Sequence, residues 1–215
     1  MASERETRKR DEILDRALLL FFEKGISSLS MEGIAAAVGV SKATLYKYFP
    51  KKELLGMAAI ERRIGLLAQR LDQINAVPGI SFPERLHGFF EAINEIIRPA
   101  IPVFMRDITK DAPWLWPQIE KMRAEEIFPR LAQLIRDGRE LGFIREDMDA
   151  VAAATMLIAI AERVAQPEFL LSLPVPPGEA LQLVIGVLLG GILSERGRQL
   201  FNAVQVPAPG PREES

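Results

Sequence analysis

Apolar residues recur three and four positions apart along most of the chain, a period that suits helices and not strands. Ile13, Leu14, Ala17, Leu18, Phe21 and Phe22 mark a first helix from about Arg8 to Lys24, with Gly25 as its stop. Ser30 is a good N-cap for a short helix in which Ile34, Ala35 and Val38 share a face. Gly39 then suits the left-handed conformation that ends a helix, Val40 plugs the corner, and Ser41 caps the next helix. Leu45 and Phe49, four apart, turn that next helix's apolar side back toward its predecessor, and the small Ala35 lets the two cross closely. Two short helices joined by so tight a turn form the geometry that carries a second helix into the DNA major groove.

Beyond this pair, Pro50 supplies the N1 residue of a long helix running from about Lys51 to Asn75 (Leu54, Leu55, Ala58, Ile64, Leu67, Leu71), which Ala76-Val77-Pro78-Gly79 ends. Further helices are predicted at about Pro83–Arg98, Pro102–Thr109, Pro117–Gly138, Asp147–Ala165 and Pro177–Asn202, and no segment reads as a strand. The Pro-rich, polar tail 206–215 reads as disordered. The expected fold class is all-α. A three-helix helix-turn-helix module (1–50) is joined by the long helix to a larger helical body (51–205).

With Leu45 and Phe49 turned inward, the second short helix exposes Lys42, Ala43, Thr44, Tyr46, Lys47 and Tyr48. Lysines offer charge to phosphates and donors to guanine, Thr and Tyr hydroxyls bond phosphate oxygens, and Ala43 or the Tyr46 ring suits a thymine methyl. Lys51 and Lys52 add two charges at the next helix start, where a phosphate also meets backbone N–H groups. The residues expected at the duplex are Arg8, Ser30, Met31, Ser41, Lys42, Ala43, Thr44, Tyr46, Lys47, Tyr48 and Lys52. The net charge of −2 divides unevenly: residues 1–55 hold ten Lys/Arg against eight Asp/Glu, and the remainder 17 against 21. So modest an asymmetry leaves affinity to the local placement of these cations.

Thr7-Arg8, Ile13-Leu14, Ala17, Phe21-Phe22, Gly25, Ser30-Met31, Ile34-Ala35, Val38-Gly39-Val40-Ser41, Thr44-Leu45-Tyr46, Tyr48-Phe49, Lys52 and Leu54-Leu55 together make residues 7–55 resemble the DNA-binding domain of the tetracycline-repressor (TetR/AcrR-type) family of bacterial transcriptional regulators. The resemblance covers roughly a quarter of the chain. It implies an all-helical, one-component regulator, most often a repressor, whose small-molecule effector lowers its affinity for a palindromic operator. The long helix touches both modules, so a ligand preferring one tilt of it would change the separation of the two recognition helices.

Leu183, Val184, Val187, Leu188 and Ile192 are apolar all round their helix, with Gly186 and Gly190 four apart where another backbone can approach. Ala150, Ala153, Ala154 and Ala161 make a similar stripe. A homodimer is expected, with Ala154, Leu183, Gly186, Val187 and Gly190 at its interface. In the family, the last two helices form a four-helix bundle with their two-fold mates. Bulky, adaptable side chains among proline-broken helices can leave a cavity, and the same set equally fills a helical core. The resemblance favours the cavity. Its expected lining is Phe90, Ile101, Phe104, Met105, Trp114, Met122, Met156 and Arg163, with Arg106, Asp107, Lys110 and Glu162 as further polar groups that could orient a small, largely apolar effector.

There is no cysteine, which excludes disulfides and thiolate metal sites and fits a reducing cytosol. The charged N-terminus is not a secretory signal, and the apolar runs Val151–Ala161 and Leu183–Leu193 are short of the roughly 20 residues that span a bilayer. A cytoplasmic protein with no membrane partner is expected. The one histidine, His87, has no visible nucleophile or metal partner in the sequence, and no catalytic or phosphate-loop motif occurs, so no enzymatic activity, metal or cofactor is expected. Two other readings stay open. One is a dimeric DNA-binding regulator with no effector, and the other a helical small-molecule-binding protein whose N-terminal module docks a protein.

Overall fold

The computed structural model describes residues 2–100, 103–164, 169, 172, 174–175 and 177–203. α1 (Ala2–Lys24), α2 (Met31–Val38), α3 (Lys42–Tyr48) and α4 (Lys52–Asn75) come first. α5 (Phe82–Ala100), α6 (Val103–Lys110), a 3-10 turn (Pro113–Leu115), α7 (Trp116–Glu126) and α8 (Phe128–Glu140) follow. α9 (Ala150–Val164), α10 (Pro177–Ile192) and α11 (Glu195–Ala203) complete the order. Among the described residues the extended pairing is a single antiparallel bridge, Ile144 to Leu193. No helix among them is long and apolar enough to cross a membrane.

One apolar cluster runs through the described chain. Ile13, Leu14, Ala17 and Phe21 of α1 meet Ile34 and Val38 of α2, Leu45 of α3 and Leu55 of α4, all nearly inaccessible to solvent. α4 continues the cluster through Ile60, Ile64 and Leu71 toward Phe82, Leu86 and Phe89 of α5, then Leu131, Leu134 and Ile135 of α8. Ion pairs fix how these helices lie. Arg62 on α4 reaches Asp11 at 2.8 Å and grips Asp15 with two bonds of 2.8 and 3.0 Å, tying α4 along α1. Arg130 on α8 grips Asp72 of α4 in the same two-pronged way at 2.9 and 2.7 Å, and Arg85 on α5 holds Asp137 of α8 at 2.8 Å.

Several boundaries differ from the periodic pattern, each for a local reason. α1 begins at Ala2, not near Arg8, in a polar stretch with no apolar stripe to reveal it; Arg8 and Lys9 pair with Glu12 along this helix. Pro50 lies before α4, whose N-cap position is Lys51. The expected Pro117–Gly138 helix is two, parting at Ile127, because Pro129 has no N–H to continue the ladder and sits in the first turn of α8. The expected Pro177–Asn202 helix also divides. Leu193 leaves it to bridge Ile144, and the Ser194 hydroxyl accepts from Gly197 N at 3.1 Å to start α11. α9 begins at Ala150, with Asp149 accepting from Ala152 N at 2.8 Å. Pro102, Ala165 and the tail 206–215 lie outside the described residues.

The turn between α4 and α5 stands away from the rest. Val77 is exposed, and a Cβ on Gly79 (φ 74°) would meet nothing within 4 Å. Gly138 is the opposite case. The Phe82 and Phe143 rings stack across it with centroids 5.1 Å apart, and a Cβ there would lie 2.3 Å from Phe82 Cζ and 2.8 Å from Ile144 Cδ1. Gly138→Ala is expected to cost about 1–3 kcal/mol in urea unfolding, since ring and helix must move apart. An unchanged midpoint would mean the Phe82 ring has room to yield.

Candidate nucleic-acid interface

The α2–α3 pair is built by short-range bonds. The Ser30 hydroxyl accepts from Gly33 N at 3.0 Å, and Gly39, at φ 76°, closes α2. Val40 N donates to Ala35 O at 3.0 Å, while the Arg16 guanidinium of α1 donates to Val38 O at 3.0 Å, satisfying a carbonyl at the end of α2. The Ser41 hydroxyl accepts from Thr44 N at 3.1 Å and lies 2.8 Å from the Thr44 hydroxyl. With Leu45 and Phe49 fully inside, α3 has one orientation, and Lys42, Ala43, Tyr46 and Lys47 are exposed beside the half-buried Thr44 and Tyr48.

The cations on that face already have partners. Lys42 Nζ contacts Glu32 of α2 and lies 5.7 Å from the centroid of the Tyr46 ring. Lys47 Nζ donates to Glu6 of α1 at 2.7 Å and lies 5.6 Å from the Tyr48 ring centroid. Hydrogen bonding from Lys47, then its charge, holds the Glu6 carboxyl below its ordinary range. The Lys42 hydrogen bond, with a backbone bond at the start of α2, does the same for Glu32. Both lysines are correspondingly raised.

Four other residues expected at the duplex have these surroundings. Met31 is buried, because it lies three before Ile34 and four before Ala35 on the apolar stripe of α2. The Ser30 hydroxyl is exposed but serves as the cap. Lys52 Nζ donates to Ser27 O at 3.2 Å and Leu29 O at 2.8 Å, so the amine fastens the start of α4 to the α1–α2 turn. Arg8 is exposed, 4.0 Å from Glu12.

The other side of that turn is held from the body. Asp107, the buried charged side chain among the described residues, accepts from Ile26 N at 2.7 Å and Ser27 N at 3.1 Å, across 81 and 80 positions of sequence. Gly25 makes room. Its φ is 80°, and a Cβ there would stand 3.2 Å from the Asp107 carboxyl carbon. The sequence pattern offered Asp107 as a ligand-orienting group; in the structure its oxygens are engaged by the turn.

Of the expected ligand residues, the structure describes the side chains of five. Phe90 and Met122 are half-buried, Trp114 is partly exposed, and Met156 and Arg163 are exposed, Arg163 lying over the Phe169 ring. Arg106 and Lys110 are exposed too, and Ile101 lies outside the described residues, as do the side chains of Phe104, Met105 and Glu162. α4 and α5 border an open groove of about 330 Å³, lined by Arg70, Ile74, Val77, Ile80, Glu91 and Glu95 among others, and by none of the expected set. Of the expected dimer residues, Ala154 is wholly buried within the chain, where α9 packs on α8 and α10. Leu183, Gly186, Val187 and Gly190 are exposed, and the outward side of α9 presents Val151, Met156 and Ile160.

Residues 13–59 match the family model of the tetR family of bacterial regulatory proteins. An uncharacterized HTH-type transcriptional regulator of Mycobacterium tuberculosis is 41% identical over 61 residues, a match that spans 28% of this chain and 30% of that protein. The HTH-type transcriptional repressor KstR2 of Mycolicibacterium smegmatis is 27% identical over 193 residues, 88% of this chain and 93% of that one. Among solved structures, the fatty acid degradation regulator FadR from Bacillus halodurans superposes with a TM-score of 0.65 at 21% identity, over 85% of this chain and 95% of that one.

Asp107→Ala removes the acceptor for a buried N–H and a partly buried one. It is expected to lower stability by about 1–3 kcal/mol in denaturant titration, the cost of leaving a buried donor unpaired. Asp107→Asn, which keeps one acceptor oxygen, should lose less, and equal losses would show that a single neutral acceptor recovers none of the stability.

Proposed function

Because the chain belongs to the TetR/AcrR-type transcriptional regulators, we propose that it is a homodimeric cytoplasmic repressor that seats two copies of α3 in successive major grooves of a palindromic operator. The observation that carries this reading is the face of α3. A helix fixed by buried Leu45 and Phe49 and capped by Ser41 turns Lys42, Ala43, Tyr46 and Lys47 outward together, a set able to bond phosphates, donate to guanine and touch a thymine methyl. Residues 1–50 form the DNA-binding half of this arrangement and 51–205 the body.

Apolar exposure supports dimerisation through α9 and α10. Met156 is 64% exposed, Leu183 52% and Val187 71%. A Cβ built on Gly186, Gly190 or Gly191 would meet nothing within 4 Å, so a neighbouring backbone has room to come close. Apolar surface of this kind on a soluble chain marks an association face. Two-fold symmetry then places the recognition helices about 34–36 Å apart, one turn of duplex.

The body is the part that senses a small, largely apolar effector. Its signal reaches α3 by two routes. α4 packs against α1 in front and α5, α7 and α8 behind, and α6 holds the α1–α2 turn through Asp107. A ligand preferring one setting of α6 relative to α4 would shift the turn that orients the module.

Selection from a randomised duplex library is expected to enrich an inverted repeat, and failure to enrich one would refute the reading. On that repeat Lys42→Ala and Tyr46→Ala should each weaken binding by about 1–3 kcal/mol, measured by fluorescence anisotropy. Sedimentation equilibrium should give twice the chain mass. Val187→Glu should halve it and cost more than tenfold in operator affinity, since the two half-sites no longer bind as one (about 1.4 kcal/mol per tenfold). A monomeric wild-type mass would overturn the dimer.

A further inference from the structure

α3 has two lysines, and each meets a carboxylate from a different helix. Glu32 lies in the first turn of α2, against Lys42, and Glu6 lies near the start of α1, 2.7 Å from Lys47. All four side chains stand in solvent, between 52% and 65% exposed. The pairs therefore occupy the DNA-facing surface and are not buried struts. Each amine also has an aromatic ring of α3 nearby, Tyr46 for Lys42 and Tyr48 for Lys47. Each amine thus has both a ring and an anion as neighbours.

Resting on the reading that α3 enters the major groove, we propose that Glu32 and Glu6 are affinity-setting residues of the DNA interface, intramolecular stand-ins for phosphate that hold down sequence-independent binding. A lysine reaching a phosphate from bulk water releases a condensed counterion, and each phosphate so neutralised steepens the fall of log K with log salt by about 0.9. A lysine that must first leave a glutamate gains less. The abandoned carboxylate recruits a cation or stands unscreened beside the backbone, so net ion release shrinks. An exposed pair is weak enough to yield once a phosphate is well placed. On a duplex of arbitrary sequence, where electrostatics supply essentially all of the binding, the two pairs remove much of what α3 offers. The small positive excess of the N-terminal module has the same effect, and the pairs localise it to the two lysines concerned.

The test uses the full chain and mixed-sequence duplex DNA, titrated across a range of salt. Glu32→Gln and Glu6→Gln are expected to tighten binding about twofold to fivefold each at low salt and to steepen the salt slope by up to about 0.9 each. The gain from Glu32→Gln should disappear in a Lys42→Met background, and that from Glu6→Gln in a Lys47→Met background, which bulk charge alone would not bring about. Unchanged affinity and slope would overturn the proposal. So would a gain that survives loss of the lysine, because the glutamate would then act only through net charge. If neither the wild type nor the doubly substituted chain binds duplex even at low salt, the DNA-binding reading itself falls and the proposal with it.

Discussion

The orientation of α3, whose outer face meets solvent, depends on how the α1–α2 turn is held. A turn normally gives its N–H groups to water; here Ile26 N and Ser27 N are taken by the carboxylate of Asp107 from α6, while the carbonyls of Ser27 and Leu29 are taken by the Lys52 amine at the start of α4. Burying a carboxylate is costly unless donors replace its water, and two peptide N–H groups do so. The turn is thereby fixed from both sides, one anchor on each of the helices leading into the body. α2 starts at the end of this turn and α3 follows after a three-residue corner, so their direction is inherited from it.

The second constraint is spread along α4. The guanidinium of Arg62 faces α1, whereas ten residues later the carboxylate of Asp72 receives Arg130 from α8. Two-pronged bonds resist rotation as well as separation, so α4 is registered against α1 at one end and against α8 at the other. Any displacement of α8 along α4 is felt as a torque on a helix whose first residue grips the turn.

The parts of the site legible in the sequence are those made by near neighbours. Ser30 to Gly33, Ser41 to Thr44 and the left-handed Gly39 each span three residues or fewer, and residue type alone identifies them. Met31 was legible in principle, since 31, 34, 35 and 38 form one stripe, and its place at the helix start drew it toward the duplex instead. Pro129 likewise carried a usable signal for the break after α7. Asp107, Lys52 and the two glutamates opposite α3 had none of comparable strength, because their partners lie between 10 and 81 positions away and are chosen by how helices cross. Ser194 reads as an interior helix residue until the Ile144–Leu193 bridge pulls the chain aside. On α9, Ala150, Ala153 and Ala154 face inward with Leu157, while Val151, Met156 and Ile160 face out, the reverse of what small residues at an interface led one to expect.

The two ends of α4 differ in what they tolerate over descent. At the α1–α2 turn, backbone donors, backbone acceptors and the missing Cβ of Gly25 are all matched to groups on other helices, so one added residue would break register with both anchors at once. At the Gly79 corner the bonds stay within the corner, Ile80 N donating to Val77 O at 3.3 Å, and a Cβ on Gly79 would meet nothing within 4 Å. An insertion at the corner before α5 would therefore disturb fewer contacts than one at the α1–α2 turn, and the direction of α2 and α3 would stay as it was.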